Sequence, residues 1–304
     1  MLSGFAVAEG RIVEKETDRA EILVFAAPDE AEKARLVSEF KLDSHTLASA
    51  LDPDEPSRLE FEPDHLALIF KRPQNYSAKD QFVFKVASTG LFLFRDRLVV
   101  LLSEDIPMFP ARHFHGIENL RHAFLKILDS SLWHYLEHLR VINMIANEIE
   151  QKISVSMENK HLLNLFSLEK SLVYYLNAIN SNAFVIEKLK NNGAKVGFAA
   201  PHMELLDDIL IENQQCYRQA EIYSNILASL MDARVSIVSN NLNILMKTLN
   251  LITIGIMVPT LVVSVFSMNV AFPYQHHPLM FWVIILLAMG SVAGMMFWWR
   301  RKRW

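Results

Sequence analysis

Ser236, Ser239, Asn243, Met246, Asn250, Thr253, Met257, Thr260, Ser264 and Ser267 follow one another at alternating steps of three and four residues. On an α-helix that spacing sets all ten on one face. Eight of them carry hydroxyl or amide groups and none carries a charge. Between Asn250 and Ser264 the remaining positions are aliphatic apart from Gly255 and Pro259. Such a file cannot perform acid–base or nucleophilic chemistry, but its neutral oxygens can face water or a hydrated cation. From Ser236 to Ser264 it extends roughly 42 Å at 1.5 Å per residue.

The helix that carries this face enters a membrane. Residues 249–266 (LNLITIGIMVPTLVVSVF) and 279–299 (LMFWVIILLAMGSVAGMMFWW) are free of charge over 18 and 21 positions. About 20 apolar residues cross a bilayer, so two spans joined by the short loop 267–278 form a hairpin. Trp282, Trp298, Trp299 and Trp304 lie near span ends, as an interfacial aromatic belt requires, and Gly290 and Gly294 form a GxxxG. A polar face inside lipid must find partners. Two solutions are open. The hydroxyls bond back to their own helix and the small residues pack against the second span, or several copies turn this face toward a shared wet axis.

Charge is divided along the chain. All 34 acidic residues lie at or before Asp232, and up to position 248 they face 26 basic ones, about −8 net. Arg300, Arg301, Lys302 and Arg303 make a basic tail. The positive-inside rule places that tail, and after two crossings the large N-terminal domain, in the cytoplasm. An acidic domain disfavours nucleic acid as a partner and suits cations. No basic n-region with an apolar run opens the chain, so no signal peptide is expected.

Catalytic motifs are missing from the sequence: there is no Walker loop, GxSxG or HExxH. The single Cys216 reads as a buried, inert thiol. His134 and His138 have i, i+4 spacing, which could hold a metal, but no third ligand is evident and an ordinary helix face is the expectation. No enzyme activity and no cofactor are expected.

Upstream, strands are expected in FAVAEGRIVEKE, AEILVFAA, DHLALIFKRP, QFVFKVAS and TGLFLFRDRLVVLL, and helices in DEAEKARLVSEF and DSHTLASALDP, the second capped by Asp43 or Ser44. Residues 116–192 show helical periodicity interrupted near 154–160, which predicts two long antiparallel helices. Leu206, Leu210, Asn213, Tyr217, Ala220, Ser224, Leu227 and Met231 also recur at steps of four and three. No Gly or Pro falls between Pro201 and Gly255, so one helix is expected over about 201–266. That upstream row suits either an oligomerising stalk or a plain coiled coil.

The whole reads as an α+β cytoplasmic domain (1–115, a mixed sheet with helices), a long helical hairpin (116–200), and a stalk helix running into the first span (201–266). An extracytoplasmic loop (267–278), the second span (279–299) and the tail (300–304) complete it.

This arrangement, with Phe266-Ser267-Met268-Asn269 closing the first span, resembles the CorA superfamily of divalent metal-ion transporters, whose usual motif is Gly-Met-Asn. The stretch MDARVSIVSNNLNILMKTLNLITIGIMVP is similar to the family's pore helix. More loosely, PSRLEFEPDHLALIF and TGLFLFRDRLVVLLSED resemble its paired β segments. The resemblance implies a homopentameric funnel in a cell (inner) membrane, with both termini cytoplasmic. Its pore would be lined by the first span, and Asn269 from each chain would form a ring of amide oxygens beside Ser267 and Met268. Such a ring can hold hydrated Mg²⁺ by outer-sphere hydrogen bonds, because that ion dehydrates reluctantly. Asn243, Met246 and Met257 match pore-lining positions, Met246 and Leu249 a hydrophobic gate, and Asp208 an acidic residue that binds regulatory metal between subunits. Ser267 departs from the motif glycine, and VAFPYQHHP lacks the acidic residue many relatives place there, offering His276 and His277 instead. Three functions therefore stand: a Mg²⁺ (or Co²⁺/Ni²⁺) channel, a ZntB-like zinc transporter, and a membrane-anchored oligomeric sensor or scaffold.

Overall fold

The computed structural model describes residues 1–76, 82–155, 159–270, 273–275 and 277–301. His276, residues 156–158 of the interruption expected near 154–160, and Lys302, Arg303 and Trp304 of the tail lie outside the described residues. The chain forms two compact units, Met1–Met231 and Asp232–Trp304.

In the first unit the described strands build one seven-stranded sheet: β1 (Leu2–Ala8), β2 (Arg11–Glu14), β3 (Ile22–Ala26), β4 (Arg58–Phe61), β5 (Leu66–Pro73), β6 (Val86–Leu93) and β7 (Leu98–Leu102). Their spatial order is β2-β1-β3-β7-β6-β5-β4. The pairing of β3 with β7 is parallel and the others are antiparallel, so the sheet is mixed as expected. Strand side chains alternate between two covered faces. Leu23, Phe25, Ile69, Phe92 and Val99 meet Leu36, Leu47 and Ala50 of α1 (Glu30–Glu39) and α2 (Ser44–Leu51). Val24, Leu68, Phe70, Leu91 and Val100 meet the long helices α3 (Leu120–Val155) and α4 (Asn159–Asn191) through Phe124, Leu128 and Val185. Burial on both faces explains why these strands read as continuous apolar runs. Each large side chain buried contributes roughly 1.5–3 kcal/mol.

Several local expectations are refined. Residues 5–16 form two strands, because Glu9 (φ 48°) and Gly10 (φ 75°) take up the left-handed backbone of a tight hairpin turn. Strand β6 starts at Val86, so residues 82–85 of QFVFKVAS are not strand, and Gln81 is outside the described residues. Asp43 is the cap of α2, accepting from the backbone N–H groups of His45 and Thr46 at 3.0 Å each. A short helix, α5 (Gly193–Val196), joins α4 to α6 (Ala200–Phe266), a single 67-residue helix.

The upstream row of α6 is spent inside the chain. Leu206, Asn213, Ala220 and Leu227 are buried: Leu206 in the core with Phe124 and Val185, Ala220 and Leu227 in the core with Tyr135, Leu172 and Tyr175, while Asn213 Nδ2 donates to Ile179 C=O at 3.1 Å. Those four are covered by their own chain, whereas Leu210, Tyr217, Ser224 and Met231 of the same row are half-buried. Buried Cys216 sits in the same core, and burial pushes its thiol up to about 12, consistent with an inert group.

One polar contact fixes the hairpin to the sheet. The β4–β5 pairing ends at Arg58 and Ile69, which leaves the next residues of β5 without a ladder partner on that side. The amide of Asn182, on α4, replaces the missing strand. Its Oδ1 accepts from Lys71 N–H at 2.8 Å and its Nδ2 donates to Lys71 C=O at 2.7 Å. Ser57 Oγ adds a bond to the same Oδ1 at 2.8 Å. Asn182→Ala strands two buried backbone groups, each costing about 1–3 kcal/mol. The expected result is a drop in melting temperature of several degrees in detergent, followed by circular dichroism. An unchanged melt would show that Asn182 does not hold the hairpin.

Candidate functional site

Among the described residues, α6, whose part from Asp232 on belongs to the second unit, and α7 (Met280–Arg301) are the two helices long and apolar enough to cross a membrane. Their packing separates the faces of α6. Leu251, Gly255, Val258, Pro259, Val262 and Phe266 are half-buried, while Asn243, Met246, Leu249, Asn250, Thr253, Met257, Thr260 and Ser264 are exposed. At 100° per residue the two sets lie on opposite sides of the helix. The half-buried side meets α7, whose own half-buried or buried positions include Ile284, Ala288, Ser291, Val292 and Met295. A Cβ built on Gly255 would lie 3.8 Å from Met295 Cε, so the small residues Gly255 and Ala288 mark the seam. Small residues at helix contacts were the signal that could have revealed it in the sequence. Gly290 and Gly294 lie on the other side of α7, with nothing within 4 Å of a Cβ built at either.

The hydroxyls on the exposed face are partly satisfied at home. Thr253 Oγ1 donates to Leu249 C=O at 2.9 Å and Thr260 Oγ1 to Ile256 C=O at 2.6 Å. Ser236 Oγ does the same to Asp232 C=O at 3.2 Å. This is the back-bonding expected of Ser and Thr in a helix. It consumes the only proton of each hydroxyl and leaves lone pairs outward, so the group presents an acceptor. The amides of Asn243, Asn250 and Asn269 make no hydrogen bond among the described residues, and all three are exposed.

At the end of α6 the motif adopts ordinary backbone. None of Ser267, Met268 and Asn269 sits at positive φ. Ser267 closes the last turn, its N–H and its hydroxyl both donating to Ser264 C=O at 3.2 and 2.9 Å. Val270 N–H then returns to Met268 C=O at 2.8 Å, folding the chain tightly around Asn269. Serine in place of the motif glycine is thus accommodated without left-handed conformation.

Asp208 is exposed on α6, whereas its neighbour Asp207 pairs with Lys190 at 2.5 Å. Glu212, one turn on, has its carboxyl pushed up by burial and by the nearby charge of Asp129. No group of three or more potential metal ligands exists among the described residues. A single chain therefore supplies fewer than three such ligands around Asp208 among the described residues. The His134–His138 pair is not on an open helix face. His138 is buried, with Nδ1 2.6 Å from Tyr175 Oη and its ring 4.4 Å from that of His134.

Burial lowers the His138 pKa from the usual 6.5 to about 3. The unfolded chain then binds the extra proton between those limits, so stability is complete above about 6.5 and falls as pH drops toward 3. Melting temperatures at pH 7.5 and 5.0 should differ, and the difference should shrink in His138→Gln. An equal difference in both proteins would remove His138 from this linkage.

The description "CorA-like Mg2+ transporter protein" matches residues 19–302 of this sequence. The cobalt/magnesium transport protein CorA of Methanocaldococcus jannaschii is 22% identical over 322 residues, with both chains fully covered. The complete structure of the CorA magnesium transporter from that organism superposes with a TM-score of 0.84 at 19% identity, covering 100% of this chain and 98% of the other. The ZntB cytoplasmic domain from Vibrio parahaemolyticus superposes with a TM-score of 0.58 at 15% identity, covering 79% of this chain and 97% of that one.

Proposed function

The chain belongs to the CorA-like Mg²⁺ transporter family, and from that premise we propose that it assembles as a homopentamer and passes divalent metal cations, Mg²⁺ foremost, across a cell (inner) membrane. Co²⁺ and Ni²⁺ are secondary cargoes of the same path. The observation that carries this reading is the placement of the polar face of α6 opposite its contact with α7. A helix that packs its partner with one side and leaves hydroxyls and amides on the other needs further copies of itself to cover them.

Five such faces around an axis give rings of neutral acceptors from Asn250, Thr253, Thr260 and Ser264. The water shell of a cation donates hydrogen bonds outward, so an acceptor-lined path suits it with the shell intact. Asn269 supplies the ring at the extracytoplasmic mouth, beside Ser267 and Met268. Asn243 lines the inner end, and Met246 and Leu249 supply an apolar constriction that closes by dewetting. Asp208, left free while Asp207 pairs with Lys190, is the ligand offered to a regulatory metal between neighbouring subunits. The basic residues after α7 hold both termini in the cytoplasm.

A zinc-transporting reading is favoured by two observations: the fold likeness to the ZntB domain, and His277 standing where an acidic loop residue was expected. A sensor or scaffold tethered by the hairpin has no use for the exposed acceptor face.

Flux of Mg²⁺, Co²⁺, Ni²⁺ and Zn²⁺ into proteoliposomes separates these. Mg²⁺ entry that is lost in Asn269→Ala is the expected outcome; zinc alone supports the second reading, and no flux of any ion removes both. Thr253→Val and Thr260→Val should each slow Mg²⁺ entry about tenfold, since losing one net hydrogen bond per barrier, ~1.4 kcal/mol, has that effect. Thr248→Val is the control. Thr248 bonds Ile244 C=O in the same way at 2.9 Å, but it projects from the opposite side of the helix and should leave flux unchanged. Equal effects at all three positions would refute an axis lined by this face.

A further inference from the structure

The first unit contains a cavity of about 310 Å³ between the end of β5, the loop 106–113 and α3. Its size is at the small end of ligand pockets. Phe70, Ile106 and Ile127 form an apolar wall, and the polar groups on the remaining wall are mostly donors. Arg72 is 4% exposed, its terminal nitrogens held by Glu104 at 2.6 Å and by Pro73 C=O at 3.1 Å. Its buried Nε–H has no partner among the described residues. Ser131, 9% exposed, likewise has a buried hydroxyl without a partner. Orphaned buried donors cost about 1–3 kcal/mol each, so an acceptor reaching both from this cavity would recover that cost.

The surroundings specify what kind of acceptor. His113 and His134 line the same space, and burial lowers the pKa of both, so each presents one N–H when neutral. Arg112 reaches the rim, where it pairs with Glu137 at 3.0 Å, both side chains being solvent-accessible. Glu137 is the single carboxylate on the wall, and it already has a partner. Two guanidinium groups face one carboxylate, an exchangeable guanidinium stands at the entrance, and the far wall is apolar.

We propose that this cavity binds a small organic oxyanion, a carboxylate or phosphate ester, with its anionic end at Arg72, Ser131 and Arg112 and its apolar end against Phe70 and Ile127. The anion displaces Glu137 from Arg112 and satisfies the two orphaned donors, converting a surface ion pair of little net worth into charge-assisted bonds at a partly enclosed site. All of these residues belong to one chain, so the site stands independently of the transport reading.

The test is calorimetric titration of the full-length protein in detergent with phenyl phosphate, benzoate and phenol. Phenyl phosphate or benzoate should bind at least about tenfold more tightly than phenol, a preference that requires the charged contacts. Which of the two binds more tightly distinguishes a phosphate ester from a carboxylate. Arg112→Ala should weaken binding of the better anion about tenfold. Glu137→Gln should tighten it several-fold, because it frees Arg112 and removes a like charge. A gain of affinity cannot come from misfolding. Phenol binding as well as either anion, no binding of either anion up to about 10 mM (~3 kcal/mol), or affinity unchanged by both substitutions would overturn the proposal.

Discussion

An apolar layer offers no partners to a hydroxyl or an amide, and that single constraint organises the second unit. Helix α6 cannot hide its polar side against α7, because the side it turns to α7 is the one marked by Gly255, Val258 and Val262. Thr253 and Thr260 meet half of the requirement by bonding to their own backbone. The amide of Asn250 has no such local solution among the described residues, and it makes the demand for neighbouring copies strongest.

The same bookkeeping of polar groups governs the first unit, with the opposite outcome. There Asn182 meets every need of a strand that has outrun its partner, and α4 is held to β5 by an amide imitating a peptide. Lys71, on the same strand segment, buries its ammonium among Pro53 C=O and Ser88 Oγ. Other buried groups, Thr89 Oγ1 and Tyr135 Oη among them, lack a partner among the described residues, but at Arg72 and Ser131 a cavity lies beside the orphaned groups.

Much of this was legible in residue order. The spans are uncharged runs long enough to cross, and the sheet strands are apolar stretches whose two faces are both covered. Asp43 as a cap follows from a carboxylate placed two and three residues before free N–H groups. What stayed hidden has one physical cause: spacing shows which residues share a face, not what covers it. The row Leu206 to Met231 and the row Ser236 to Ser267 have the same rhythm. One is buried by its own chain and the other is exposed, and the five-residue step from Met231 to Ser236 turns the second row about 140° from the first. The oxyanion cavity was invisible for a related reason, since it gathers Arg72, Arg112 and Ser131 from segments with no common motif. The break between β1 and β2 was missed because Glu9, not only Gly10, takes left-handed backbone.

The hydroxyl protons of Thr253 and Thr260 have a consequence for ionic strength. A ring of carboxylates discriminates by net charge, and dissolved salt screens that field within about 8–10 Å under ordinary conditions. Oriented dipoles act only at contact, where no counter-ion intervenes. Each threonine would have to break its backbone bond before it could offer a proton to an anion. At Thr253 and Thr260 the polarity shown to the surroundings is therefore set by backbone geometry, and brine would leave it intact.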